Sequence, residues 1–426
     1  MLNLIALFGL AVIVGVAYAL SEDRARVSWR TPLVALGVLL LTGAFFFLTP
    51  GKRLLVDGLN ATILAVLDRA DDGIAFLFGD LASAEGGTFI LAIQALPLLV
   101  FFGAAISLLY HIGVMQWLIK ILARVFTRLF RFSGAEALAA ASNIFVGVES
   151  AMTVRPYLAQ MTRSELFMVL TVGMSTIAST VLAAYVRFLQ NEFPTIAVHL
   201  ISASFLSVPA AVCVAKIMCP EREQPLTLGR VVEPEYERCN NWVESILRGA
   251  NEGMKVLLGV CAALIAFIGL VSVLNLLLST VGGWPNRWLG VDINWTVQGL
   301  FGYVYYPFIC AIGVPHADAL TVAQLVGDRL VLTEFSSYLG LAELIRNGAL
   351  QPRSVLVVSY VLCGFAHIAS LAIFVGGTAA LAPSRMDVLG KIGLRALVAA
   401  NLACLLTGAT ASLFYHAGLQ VLATTN

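Results

Sequence analysis

The chain reads as an all-α polytopic membrane protein, with about eight transmembrane helices plus two re-entrant helical hairpins arranged as an inverted repeat. Three observations predict this. Of its 426 residues 59% are hydrophobic and only 12% charged, against roughly 25% charged in a soluble domain, and the mean hydropathy is +0.90. Apolar runs of about 20 residues, the length needed to cross a bilayer, recur along the whole chain. Two carboxylates, Glu149 and Glu334, each sit inside such apolar sequence, one in either half. A carboxylate at mid-bilayer costs on the order of 3 kcal/mol or more, so two of them beside helix-breaking or polar clusters point to a solute site rather than a packed core.

Other classes are disfavoured by the same composition. A net charge of +1 provides no basic excess for nucleic acid. There is no Walker A sequence, so nothing points to ATP hydrolysis. No nucleophile, base and orienting group can be picked out, so the chain reads as a non-enzyme. The seven cysteines form no CxxC pair and mostly lie in apolar runs, as buried thiols do.

Taken in order, Leu2–Leu20 and Pro32–Leu48 are the first two spans. Met1–Leu20 lacks a basic n-region and an obvious cleavage site, so it reads as a retained span rather than a signal peptide. The loop Ser21–Arg30 carries Arg24, Arg26 and Arg30, which places it in the cytoplasm and the N-terminus outside. Residues 50–88 mix acidic and apolar residues, as an interfacial or external segment would. Phe89–Tyr110 is span three. Val114–Phe132, with Lys120, Arg124, Arg128 and Arg131 at helical spacing, is a basic amphipathic helix on the cytoplasmic face. Ser133–Arg163 cannot be one span, because Gly134, Glu136, Asn143, Gly147, Glu149, Arg155 and Pro156 interrupt it; it reads as a re-entrant hairpin lining protein or a wet cavity.

Leu166–Tyr185 is span four, interrupted by Gly173–Thr180 with its four hydroxyl residues. Such residues either glue helices together or mark a locally unwound helix whose freed carbonyls bind a cation. Val198–Met218 is span five. Cys219–Arg248 is the longest polar stretch and reads as a cytoplasmic linker. The second half repeats the order: span six at Val256–Leu278, an aromatic outer boundary at Gly283–Asn294, and a segment at Thr296–Ile312 matching the amphipathic helix. A second broken hairpin with Glu334 at its tip follows, then span seven at Ser354–Val375, broken at Cys363–Ser370. The loop Pro383–Arg395 is cytoplasmic and Leu397–Tyr415 is span eight. The expected organisation is N-terminal scaffold helices over 1–88, a first repeat unit over 89–218, a linker over 219–248 and a second unit over 249–426. Inverted repeats whose broken helices meet at the midplane are the sequence signature of a secondary transporter.

Three constellations carry the chemistry. Asn143, the backbone at Val146, Thr176 and the backbone at Ile177 offer neutral oxygens suited to a monovalent cation such as Na⁺; Ca²⁺ calls for carboxylates. Glu149, Glu334, His367 and Ser370 could accept hydrogen bonds from a neutral solute. Phe365, Phe335, Tyr303 and Tyr306 could stack on a flat ring. Plainer readings stay open at each: Glu334 paired with Arg329, Glu149 paired with Arg155, His367 as a satisfied core histidine, the aromatics as packing. A desolvated carboxylate and a histidine also leave room for proton coupling.

The sequences Asn143-x-Phe-Val-Gly…Glu149…Arg155-Pro156, Gly173–Tyr185, Gly313-Val-Pro315, Gly327-x-Arg-x-x-x-Thr-Glu334-Phe335-x-x-Tyr338, Cys363-Gly-Phe-Ala-x-x-x-Ser370 and Ala382-Pro-Ser-Arg385 resemble the concentrative nucleoside transporter family from about Phe89 to Tyr415. The resemblance implies a homotrimer of eight-span subunits in the bacterial cytoplasmic (inner) membrane. It implies nucleoside uptake driven by Na⁺, or by H⁺. Asn143, Val146, Thr176 and Ile177 then look like the sodium site, and Glu149, Val148 and Val181 like groups facing the nucleobase. Glu334, His367, Ser370 and Phe365 look like those facing the ribose and stacking on the solute. The chain departs from the family at both tips and in the seventh span. The first tip is Gly147-Val148-Glu149, lacking the family's Gln and its Thr or Ser; the second begins Thr333-Glu334 where the family has Asn-Glu; and His367 replaces an Asn. A site built for a hydrogen bond discriminates by as much as about 10⁴-fold, so these changes imply altered base selectivity, or a modified nucleoside as the solute.

Overall fold

Apolar helices dominate the computed structural model, which describes residues 1–49, 52–82, 89–147, 150–234, 239–289, 293–416, 419 and 421–422, with backbone alone for 52–57 and 59. The helices are α1 (Leu2–Ala19), α2 (Arg30–Leu48), α3 (Lys52–Phe78), α4 (Leu91–Gln94), α5 (Leu98–His111), α6 (Val114–Phe130), α7 (Gly134–Asn143), α8 (Ser150–Thr153), α9 (Arg155–Leu158) and α10 (Arg163–Ser175). They continue as α11 (Ser179–Leu189), α12 (Ile196–Met218), α13 (Trp242–Leu289), α14 (Val297–Ala311), α15 (His316–Val331), α16 (Glu334–Arg346), α17 (Pro352–Leu362), α18 (Ile368–Leu381) and α19 (Met386–Leu413). Among the described residues, seven stretches are long and apolar enough to cross a membrane. The halves α17 and α18, each too short alone, make the eighth.

Local chemistry sets the boundaries. Ser133 and Thr162 begin α7 and α10 with capping boxes closed by Glu136 and Glu165, each satisfying otherwise orphaned donors. Gly113 turns the chain at φ 87° between α5 and α6, where a side chain would be strained. The order of elements repeats: span, lateral helix, hairpin, broken span, span runs through α4–α12, and again through α13–α19.

The centre of the molecule is α10, α11, α12, α17 and α19; of the span windows of α10–α11, α12 and α19 83–89% is buried, whereas that of α13 is 11% buried, and α17 is buried from Arg353 to Leu362. Helix α13 is 48 residues long, about 70 Å at 1.5 Å per residue, against a hydrocarbon core of about 30 Å. It packs chiefly on α5, and the crossing is close because three glycines allow it. A Cβ on Gly103 would sit 2.5 Å from the Gly249 carbonyl oxygen, and one on Gly253 2.4 Å from that of Leu99. Gly249-x-x-x-Gly253 is the small-residue spacing by which membrane helices approach each other. The outward face of α13, with Ile265 78% and Leu276 67% exposed, is apolar, as a lipid-facing surface requires.

The structure adds helix at three polar stretches, and corrects the one read as a loop, Pro383–Arg395. The linker 219–248 becomes helical from Trp242, the outer boundary Gly283–Asn294 is helical through Leu289 with Pro285 inside the helix, and Pro383–Arg395 is a 3₁₀ turn followed by α19 from Met386. Hydropathy marks only the stretch of a helix that lipid could cover; helices running on into polar surroundings look like loops.

One polar hub ties the bundle at the α1–α2 connection. Arg163 grips Glu22 with two hydrogen bonds of 2.7 and 3.1 Å, Arg395 approaches it at 3.6 Å, and the Glu22 amide donates to Met218 O. The Arg163 hydrogen bond, with the charges of Arg163, Arg395 and Arg222, holds the Glu22 carboxyl below the usual carboxylate range against the opposing effect of its partial burial. A lowered folded-state value means stability that is present above the unfolded-chain pKa of about 4.3 and lost as pH falls through the folded value. Glu22→Gln should therefore lower stability by about 1 kcal/mol at neutral pH, and this deficit should shrink as pH falls below about 4 and vanish only below the lowered folded-state value, as thermal melting across pH would read. A deficit independent of pH would remove the charge from the explanation.

Candidate functional site

Two helix breaks and two hairpin tips build the site. Helix α10 ends at Ser175 because Thr176 turns extended, at φ −117° and ψ 164°, while the Ser175 and Thr176 hydroxyls donate to Val172 O at 3.2 and 3.0 Å. Asn143, the last residue of α7, docks into the break. Its amide donates to Val172 O at 2.9 Å and to the Thr176 hydroxyl, while its Oδ1 accepts from Ser150 at 3.0 Å. The Ser179 amide donates to Phe145 O. Asn143, Thr176 and Ile177 are all at most 1% exposed, and Val146 follows the same tip. The pairing of two segments far apart in sequence is thus real.

The second break runs from Cys363 to His367, between α17 and α18. The Phe365 amide donates to Thr176 O at 3.3 Å, so the breaks cross. They approach so closely that a Cβ on Gly364 would lie 2.7 Å from Cys404 Sγ and 2.8 Å from Ser175 O. His367 caps α18: its Nδ1 accepts the Ser370 amide at 3.2 Å, and the Ser370 hydroxyl accepts the His367 amide and faces the Phe365 and His367 carbonyls. With Nδ1 an acceptor, the ring proton of neutral His367 sits on Nε2, which lies 2.8 Å from Glu334 Oε2. Glu334 opens α16, and its Oε1 accepts from Tyr185 O–H at 2.7 Å. Tyr185 in turn stacks on Tyr338, 4.5 Å between ring centres.

A cavity of about 370 Å³ adjoins this cluster, within the range of small-molecule sites. Val181, Glu334, Phe365, His367 and Ser370 all line it. Val148 and Glu149 lie outside the described residues. Arg329 does not pair with Glu334; its guanidinium turns to Val361 O and Asn401. Of the four aromatics, Phe365 and Phe335 reach the cavity wall, whereas Tyr306 bonds His316 and Tyr303 accepts from the Asn294 amide. The sequence reading missed the opposite wall, where Lys255, Val256, Gly259 and Val260 of α13 stand, and also Tyr185. Tyr185 gave a signal, since it closes the hydroxyl-rich span. A second cavity of about 210 Å³ shares Gly147, Thr180 and Val256 with the first and extends along α5 and α13 to Cys239 and Arg248.

An all-helical, multi-pass membrane protein whose crossed breaks and hairpin tips close on one cavity is a carrier for a small solute. Comparison with known proteins gives its family. Residues 8–81 match the Na⁺ dependent nucleoside transporter N-terminus, 92–192 a nucleoside recognition domain, and 199–412 the Na⁺ dependent nucleoside transporter C-terminus. An uncharacterized transporter of Haemophilus influenzae is 36% identical over 98% of this chain and 99% of its own length. The nucleoside permease NupC of Helicobacter pylori is 31% identical over 97% and 98%. CNTnw, solved in an inward-facing substrate-bound state, is 34% identical over 97% of this chain and 98% of that one, with a TM-score of 0.88. The chain belongs to the concentrative nucleoside transporter family, whose members are transporters and not enzymes.

Gly364→Ala should destabilise the protein by about 1–3 kcal/mol through overpacking and abolish most solute binding, because its Cβ must push the breaks apart. Thermal melting and a binding titration check this; native affinity would show that the crossing tolerates displacement.

Proposed function

We propose that the protein is a secondary active transporter that carries a nucleoside, with altered base selectivity, into the cell by sodium symport. The observation that carries this is the direct link between the two constellations: Thr176, beside Asn143, accepts the amide of Phe365, which lines the solute cavity with Glu334 and His367. In this reading Asn143, Val146, Thr176 and Ile177 hold the sodium ion. The oxygens are neutral, as sodium prefers, and the Asn143 amide, whose N–H₂ faces Thr176 while its Oδ1 accepts from Ser150, turns over to present its oxygen to the ion. A cation there fixes the Asn143 tip, and with it the backbone that carries Phe365.

Glu334, His367 and Ser370 face the ribose, Phe365 stacks on the solute, and Glu149, Val148 and Val181 face the base. A cavity whose wall is largely apolar suits a base that demands fewer hydrogen bonds than the family norm, or a modified nucleoside. The units over 89–218 and 249–426 act as inverted halves, joined by the polar segment 219–248, with 1–88 as scaffold. Assembly is as a homotrimer in the bacterial inner membrane, with α13 facing lipid or a like subunit.

Proton coupling is the second reading, favoured by one feature: the 2.8 Å approach of His367 to Glu334 in a buried site offers a place for a proton to be taken up with the solute.

Uptake of labelled nucleosides and modified nucleosides into proteoliposomes, under a sodium gradient or a pH gradient, tests both readings. Stimulation by sodium alone supports the first; stimulation by a pH gradient with no sodium effect transfers the coupling to the proton. No movement or binding of any nucleoside would sink the substrate assignment.

Glu334→Gln should weaken solute binding by about 10- to 100-fold, the worth of charge-assisted hydrogen bonds. Asn143→Ala should raise the sodium concentration needed for half-maximal uptake far more than it changes affinity for the solute at saturating sodium. Near-native affinity in the first variant, or unchanged sodium dependence in the second, contradicts the role assigned.

A further inference from the structure

Arg329 is a fully buried charged side chain that the proposed mechanism leaves idle. Among the described residues no carboxylate lies within ion-pair distance of it. An intramembrane charge held without a counter-ion calls for a functional explanation. Its partners are all neutral acceptors: Nη1 donates to Val361 O, and Nη2 donates to Asn401 Oδ1 at 2.6 Å. Asn401 also accepts Tyr305 O–H at 2.8 Å, and its own amide donates to Ala366 O at 3.2 Å. The guanidinium therefore reaches the C-terminal end of α17 directly and the unwound segment before His367 through one amide.

The place it fills has a counterpart in the first half. There the C-terminal ends of α7 and α10 meet, and the end residue of the hairpin arm, Asn143, donates to Val172 O near the end of the broken span. Here the C-terminal ends of α15 and α17 meet, and a residue two positions from the end of the hairpin arm, Arg329, donates to Val361 O near the end of the broken span. A helix C-terminus carries about half a negative charge. Each half therefore brings two such ends together inside the bundle, and each convergence needs a positive charge. In the first half the side chains that hydrogen-bond at the junction among the described residues, Asn143, Ser150 and Thr176, are neutral. In the second the chain brings its own cation.

We propose that Arg329 is a tethered cation that holds the second helix break together, at the position equivalent by repeat to the proposed mobile-cation site beside Asn143 and Thr176. The comparison with the first half rests on reading that half as a cation site; the electrostatic role of Arg329 at its own junction does not. The consequence is an asymmetric carrier. One junction takes and releases an ion, while the other is permanently filled and keeps Ala366, Phe365 and His367 in register with Glu334. Arg329 is in this sense a positioning residue: it holds the end of α17 and, through Asn401, the segment on which the solute groups stand.

The test compares Arg329→Lys, Arg329→Gln and Arg329→Gly by thermal melting in detergent and by uptake in proteoliposomes. Loss of a cation from helix C-termini in a buried setting should lower uptake by roughly 30-fold or more. Gln, which keeps donors for Val361 and Asn401 but not the charge, should fall with Gly, whereas Lys should stay close to the unmodified protein. Millimolar guanidinium chloride should restore much of the uptake of Arg329→Gly, and equimolar urea, of the same shape but uncharged, should not. A Gln variant with native melting and uptake overturns the proposal, as does a well-folded Gly variant that guanidinium leaves inactive. Where Gly fails to fold, Lys and Gln variants with equal melting temperatures overturn it. Sodium stimulation of the unmodified protein is read separately, so its absence would count against the first junction and not against Arg329.

Discussion

A bilayer core supplies no water to satisfy a broken helix, and that constraint organises this molecule. Each backbone N–H or C=O released at a break must find a protein partner or cost several kcal/mol. Both breaks are closed by side chains from elsewhere: Asn143 reaches Val172 O, Arg329 reaches Val361 O, and Asn401 reaches Ala366 O. One backbone hydrogen bond, Phe365 to Thr176, then joins the two unwound segments. The hairpins exist to deliver these side chains, and the polar cluster around Glu334 sits where the delivered pieces meet.

Around that centre the chain is divided unequally. Helices α10, α11, α12, α17, α18 and α19 supply the breaks and about half of the buried polar groups, whereas α13 packs chiefly on α5 through the Gly103, Gly249 and Gly253 contact. The cavity lies between these parts: Glu334, Phe365 and His367 on one side, Val256, Gly259 and Val260 on the other. Apart from Lys255 at its edge, small residues on α13 present a smooth apolar wall to a surface rich in hydrogen-bonding groups. A wall of that kind makes few directional contacts to break when the opposite surface shifts.

The fold was largely legible because its strongest signals are additive. Apolar length gave the spans, and breaks at Gly173–Thr180 and Cys363–Ser370 were visible as polar clusters in apolar runs. Pairing was legible only through the repeat, since nothing in the residues near Asn143 states that Thr176 is its partner. What stayed hidden was of two kinds. The ends of α13 and α19 carry charged residues and so resemble loops, although a helix continues into polar surroundings at no penalty. The cavity wall on α13 and the phenol of Tyr185 were hidden because aliphatic and aromatic residues in an apolar run look alike until the packing singles out those that face a space. Arg329 was noticed as a partner for Glu334, five residues on; its direction was set by helix ends that composition cannot reveal.

The chemistry offered to a solute follows from how these groups are already committed. His367 spends Nδ1 on the Ser370 amide, so its ring has only the Nε2 side left, and that side faces Glu334. An asparagine in the same place would offer both an acceptor and a donor. The Ser370 hydroxyl is turned toward backbone carbonyls, and one oxygen of Glu334 holds Tyr185. The Thr333 hydroxyl, by contrast, is buried at the cavity wall with no hydrogen-bond partner among the described residues, which leaves it open to a guest. A solute entering this cavity meets a carboxylate with one oxygen held by Tyr185 and the other 2.8 Å from His367 Nε2, the hydroxyls of Thr333 and Thr180, the Lys255 ammonium on the far wall, and otherwise mostly carbon. Affinity must then come mainly from ring stacking and shape, with selectivity set by the few polar atoms that remain uncommitted.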